Sequence, residues 1–145
     1  KPKSDETVNL GFRTTEFNPA PGLENQLIEL VNKERESRNL QGLTFDPNLT
    51  KIARPHSADM FERGYFSHYS PEGTSPFDRM STAGISYTSA GENLALAPDV
   101  DLAMQGLMNS PGHRANMLSP NYEKIGVGVI DGGIYGKMFV QEFTN

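Results

Sequence analysis

"IGVGVIDGGIYGKMFVQEF", residues 125–143, reads as two strands joined by a turn. Isoleucine and valine recur in the first arm, valine and phenylalanine carry the second, and Asp131-Gly132-Gly133 between them is turn chemistry. The segment predicts a β-hairpin that closes the domain. Upstream the apolar period changes. Leu23, Leu27, Leu30 and Val31 recur at helical spacing, and Leu40-Gln41-Gly42 ends that segment. Asp46 followed by Pro47 marks a second helix, with a carboxylate for the cap and proline at the first helical position. Leu49, Ile52, Ala53, His56 and Met60 form its stripe, and Pro55 inside it predicts a kink or a displaced boundary. A short helix is expected at Pro76–Ala83 and a third periodic segment at Val100, Ala103, Met104 and Leu107. Helices first and clear strands last make an α+β fold with an antiparallel sheet.

Residues 1–22 are polar, lack a sustained period and close on Pro19-Ala20-Pro21-Gly22, which reads as an N-terminal tail or linker with one short docked piece around Val8–Phe12. Residues 23–145 are then the folded domain, one domain by length. A net charge of −5 with scattered Lys and Arg supplies no basic patch, so neither a nucleic acid nor an anionic membrane surface is an expected partner. No apolar run reaches membrane-spanning length. The absence of cysteine removes disulfides, thiolate nucleophiles and Cys-ligated metals. The chain begins at Lys1 rather than methionine, which reads as an excised or mature fragment.

Three stretches carry ionisable residues beside turns rich in small residues: "GYFSH" ending at His68, "AGENLA" with Glu92, and "SPGHRANML" with His113. Ser110-Pro111-Gly112 reads as a turn and Arg114–Leu118 as a short helical segment, so His113 stands at a joint that aims its side chain. Two imidazoles and a carboxylate are donors for a divalent metal, Zn²⁺ above others, with open positions for water. The same three are a candidate acid/base cluster, since imidazole titrates near neutrality and a carboxylate orients it. Spacing alone leaves both readings open beside that of solvated surface histidines. His56, on an apolar helical stripe, reads instead as a packed, hydrogen-bonded histidine. No G-x-S-x-G elbow and no phosphate-binding glycine fingerprint occurs.

"LIELVNKERESRNLQGLTFDPNLTKIARPHSADM", "YFSHYSPEG", "AGENLA", "MNSPGHRANML" and "IGVGV", in this order, resemble the bacterial branch of the CAP superfamily, named for cysteine-rich secretory proteins, antigen 5 and plant pathogenesis-related proteins. The resemblance runs from about Leu23 to Phe143. It implies a three-layer α-β-α sandwich with a central, mostly antiparallel sheet and a cleft across it. It also implies that His68, Glu92 and His113 share that cleft, with Asn93 completing G-E-N. Many eukaryotic members add a glutamate in the helix before the last histidine. That position falls near Ser110 here, and Leu107 stands where an aromatic is usual, so a two-carboxylate mechanism is in doubt.

The family implies an extracellular or cell-envelope location without fixing an activity. Three readings follow. The first is a binding module whose His/Glu cleft takes a divalent cation and a small-molecule, lipid, glycan or peptide ligand, acting as a monomer. The second is a hydrolase of protein or cell-wall peptide that uses metal-bound or Glu92-activated water. The third is a structural or adhesive envelope domain.

Overall fold

The computed structural model describes residues 7–145. The C-terminal hairpin forms as β6 (Lys124–Asp131) and β7 (Lys137–Thr144), paired antiparallel from Lys124↔Thr144 to Asp131↔Lys137. A single 3-10 turn at Gly133–Tyr135 joins them, and Gly133 and Gly136 take the left-handed φ values of +64° and +88° that such a connection needs. β5 (Ala90–Ala97) adds to the far side of β7 along its whole length, also antiparallel. The other edge of β6 receives β2 (Asn18–Pro19) antiparallel and β3 (Thr44–Phe45) parallel. The sheet order is β2-β6-β7-β5, so β5 is an edge strand.

Side chains alternate across a strand, and that alternation sorts the helices into two layers. Phe139 and Phe143 of β7, with Ile125, Val127 and Val129 of β6, face Leu27 and Val31 of α1 (Pro21–Glu36). Ala103, Met104 and Leu107 of α4 (Val100–Met108) and Met117 of α5 (Pro111–Met117) complete that layer. Met138 and Val140 of β7, Ile130 of β6 and Leu94 of β5 face the opposite way, onto Ala53, Met60 and Phe61 of α2 (Pro47–Arg63). α3 (Pro76–Thr82) lies on this second side, where its Met80 packs against Leu49 and Ile52 of α2. The expected α-β-α sandwich is the observed architecture.

Several local expectations change. Residues 7–22, read as a tail with one docked piece around Val8–Phe12, dock there and also farther along, at Phe17–Pro19. β1 (Val8–Asn9) pairs with β4 (Tyr65–Phe66), β2 joins the main sheet, and Phe12 and Phe17 pack on Phe61 with ring centroids 6.5 and 6.4 Å apart. The anchors are single aromatics without a period, which composition cannot register. Residues 1–6 fall outside the described residues. The Pro-Ala-Pro-Gly stretch, read as a linker, starts α1, with proline in its first turn. α2 runs unbroken through Pro55, so its boundary is not displaced. "AGENLALA" is not a turn but the edge strand β5.

The approach of α2 to the sheet depends on Gly126 and Gly128. A Cβ on Gly128 would lie 2.2 Å from the backbone nitrogen of Arg54, and one on Gly126 would lie 2.5 Å from that of Thr50. The close contact lets Thr50 Oγ1 bond both N–H and C=O of Val127 at 3.1 Å, satisfying part of the outer edge of β6. Gly128→Ala should therefore cost about 2–3 kcal/mol, because helix backbone must move. Gly22→Ala, with open space at its Cβ, should be neutral or stabilising. Denaturant unfolding of both variants checks this, and a neutral Gly128→Ala would contradict the packing described.

Candidate functional site

The pleat sends Glu92 and Asn93, adjacent on β5, to opposite faces of the sheet. Glu92 goes to the α2 side. Its Oε1 accepts from His68 Nδ1 at 2.7 Å and its Oε2 from Arg79 Nη2 at 2.9 Å. The Glu92 side chain is 1% exposed, against 30% for His68. A carboxylate only accepts, so Nδ1 carries the proton and Nε2 of the neutral ring keeps its lone pair. Burial alone would raise the Glu92 pKa. Hydrogen bonds from Glu142 and His68 and the positive fields of His56 and Arg79 outweigh it and hold Glu92 below its ordinary range.

Neighbouring elements fix these partners. α3 is started by a capping box, with Ser75 and Asp78 each bonding the other's backbone, and Pro76 in its first turn. That helix delivers Arg79, whose guanidinium also donates to the carbonyls of His68 and Thr74 at 3.1 and 3.2 Å. His56, buried on α2, donates from Nε2 to the carbonyl of Ser67 at 2.8 Å and so pins the chain one residue before His68. Burial pushes the His56 pKa down. The packed role expected for His56 is what the structure shows, with the added consequence that it positions His68.

On the other face, Asn93 Nδ2 donates to Gln141 Oε1 at 2.9 Å and to the carbonyl of His113 at 3.0 Å, while its Oδ1 accepts from Asn116 Nδ2 at 2.8 Å. These bonds moor α5 to the edge strand. Arg35, 1% exposed, holds the far end of α5 by donating to the carbonyls of Met117 and Ser119, both at 2.9 Å. His113 lies within the first turn of α5, which begins at Pro111, rather than at a joint ahead of a later helix. Its ring is half-buried, and burial together with repulsion from His68 pushes its pKa down.

The three expected residues thus gather around the β5 edge, and the field of His68 acts on His113. His68 and Glu92 bond directly and line a concavity of about 280 Å³ with Tyr69, Phe77 and Asn116. His113 lines a neighbouring groove of about 270 Å³ floored by Leu94, Leu96, Leu102 and Leu107. Sequence reasoning missed Arg79 and Glu142. Arg79 gives no signal in sequence. Glu142 does, because counting by two from Met138 through Val140 puts a carboxyl group on a buried face, and it is fully buried.

The family model described as the cysteine-rich secretory protein family, CAP, matches residues 28–143. The chain belongs to the CAP family. This CAP domain is 44% identical over 119 residues to the protein YkwD of Bacillus subtilis (strain 168), covering 81% of this chain and 46% of YkwD. Among solved structures it is similar to an extracellular protein containing an SCP domain from Bacillus anthracis str. Ames, with 36% identity and a TM-score of 0.78 over 86% of this chain and 41% of that one. It shares its fold with an outer surface protein of Borrelia burgdorferi, at 22% identity and a TM-score of 0.82, covering 88% of this chain and 97% of that one. The CAP domain spans less than half the length of the two Bacillus relatives. Among the described residues, no helix is long and apolar enough to cross a membrane.

The donor set does not fit a zinc centre. Among the described residues no three His, Asp or Glu side chains are grouped to hold a metal ion. Both Glu92 oxygens are engaged, one of them by the Arg79 cation, so Glu92 is not a metal ligand in this arrangement. Calorimetry with Zn²⁺ should give no saturable binding at micromolar protein. Saturable binding lost in both His68→Ala and His113→Ala would restore the cation site that the residue types suggest.

Proposed function

We propose that this CAP domain works outside the cytoplasm or in the cell envelope, as a binding domain for an amphipathic ligand, a lipid or peptide in preference to a plain glycan. The observation that carries this reading is the pairing of two unlike concavities at the open edge of β5. One has a mixed lining, with Phe77 and Tyr69 beside His68 backed by Glu92, and the other is more apolar and ends at His113. Leu96 and Leu102 are 36% and 47% exposed beside the apolar groove, a cost in water that a bound apolar group would remove. Relatives described as extracellular or outer surface proteins support the location.

A hydrolase needs an activator of water and a proton donor. His68 held by Glu92 supplies the first. Ser110 stands where many family members have a second carboxylate, and Glu142 is sealed from the cleft at 0% exposure, so it cannot reach a ligand. Binding without turnover is the better account of that set. An NMR titration of the ¹⁵N-labelled domain tests it, using a long-chain fatty acid, a leucine-containing peptide and a cell-wall disaccharide as probes. The fatty acid or the peptide should saturate, shifting the amides of 94–97 and 113, and Leu102→Glu should weaken it at least about tenfold, the loss expected from one desolvated apolar contact replaced by a charge. No saturation by any probe would favour the structural or adhesive role. Cleavage of the peptide that stops in Glu92→Gln would favour the hydrolase.

A further inference from the structure

Glu92 faces a second carboxyl group. In the β5–β7 register Glu92 stands directly opposite Glu142, and side chains so placed on one face have Cβ atoms roughly 4.5–5.5 Å apart. On the other side Glu142 is opposite Gly126, which has no side chain, because α2 occupies that space. Glu142 is 0% exposed, and among the described residues neither of its oxygens receives an N–H or hydroxyl bond from a non-carboxyl donor. The polar side chain that faces it across the ladder is Glu92. Two carboxylates so placed repel. A carboxylic acid and a carboxylate form a strong, charge-assisted hydrogen bond.

We infer that Glu142 is a positioning residue for the cleft: a neutral carboxylic acid that donates its proton to Glu92 in a hydrogen bond and holds the Glu92 carboxylate on His68 and Arg79. Glu92 is then the member that ionises, since it has the donors: His68 Nδ1, Arg79 Nη2 and the Glu142 hydroxyl. The pair carries one negative charge, which the Arg79 guanidinium balances. The charged or titratable groups that face this pair are Arg79 from α3, His68 from the loop before it, and His56 from α2; the Arg79 cation stabilises the single charge and none of the three bonds Glu142. Burial and the Glu92 charge both push the Glu142 pKa well above the carboxyl range. This second carboxyl group differs in kind from the one absent at Ser110, because it touches no ligand and acts through Glu92. The inference holds whatever ligand the cleft takes.

The sign of the pH effect follows from proton counts. The unfolded chain loses the Glu142 proton near pH ~4.3, while the folded chain keeps it to a much higher pH. From about pH 5 upward the native state therefore binds one proton more, and this contribution to stability declines as pH rises. Glu142→Gln retains a donor of the same shape and no longer titrates. Relative to it, the wild-type folding equilibrium should weaken as pH rises from about 5, by about tenfold per pH unit for as long as the folded chain keeps the Glu142 proton. Taking the difference between the two proteins cancels His56 and His113, which titrate in both. Infrared spectra of the folded wild type at about pH 7 should show the carbonyl band of a protonated carboxylic acid, absent from Glu142→Gln. Glu142→Met, of similar length but without a donor, should speed exchange of the His68 Nδ1 proton at least about tenfold, the equivalent of about 1.4 kcal/mol, while Glu142→Gln should preserve its slow exchange. A missing acid band together with parallel pH profiles would overturn the inference, and unchanged exchange in Glu142→Met would overturn the positioning role. The infrared and pH measurements require only the glutamine variant, so they decide the protonation state even where the methionine variant does not fold.

Discussion

A carboxylate buried on the inner face of a sheet must be satisfied on all sides, and Glu92 is the group around which this fold is arranged. Leaving such a charge without partners costs several kcal/mol or more. Every element near it contributes to avoiding that cost. α3 brings Arg79, the chain after β4 brings His68, β7 brings Glu142, and α2 brings His56 to hold the backbone that carries His68. Removing any one partner would leave the rest unbalanced. The same bonds that stabilise the charge also orient an imidazole toward the cleft, so stability and site geometry rest on one network.

The edge position of β5 explains how one strand serves two histidines. Among the described residues no further strand covers its outward side, and loop 67–75 and α5 close over it from opposite faces of the sheet. Glu92 engages the first and Asn93 the second, through side chains that the pleat directs apart. Gly126 and Gly128 matter to this arrangement at a distance. They admit α2 to the sheet, and α2 then seals Glu142 from water and places His56 under Ser67.

Much of this was legible in the sequence, and the exceptions have physical reasons. The hairpin, α1, α2 and α4 carry strong periods, and those segments folded as their patterns indicate. β5 was concealed because "AGENLALA" carries glycine and asparagine close together near its start, residues that favour turns when nothing buries them. Here Glu92 and Asn93 are buried and bonded on both faces, so tertiary partners override local preference. Docking of the piece around Val8–Phe12 was legible, whereas the pairing of Asn18–Pro19 with β6 and the anchor Phe17 were missed because these residues stand without a period. His68, Glu92 and His113 were identified from their motifs. The face of β5 from which each partner approaches was not, since the pleat of that strand decides it. Arg79 carries no local mark, whereas Glu142 does, as the one carboxyl group on the Met138–Val140 face of β7.

The bond between His68 and Glu92 joins the fold to the cleft, and the tautomer of His68 reports on it directly. Long-range ¹H–¹⁵N correlation spectra of the imidazole, recorded at a pH where the ring is neutral, distinguish the two nitrogens. The structure requires a protonated, slowly exchanging Nδ1 and an unprotonated Nε2 for His68, with the Nδ1 proton lost to rapid exchange in Glu92→Gln. An Nε2-protonated His68 in the wild-type protein, or an unaltered Nδ1 proton in the glutamine variant, would contradict the account.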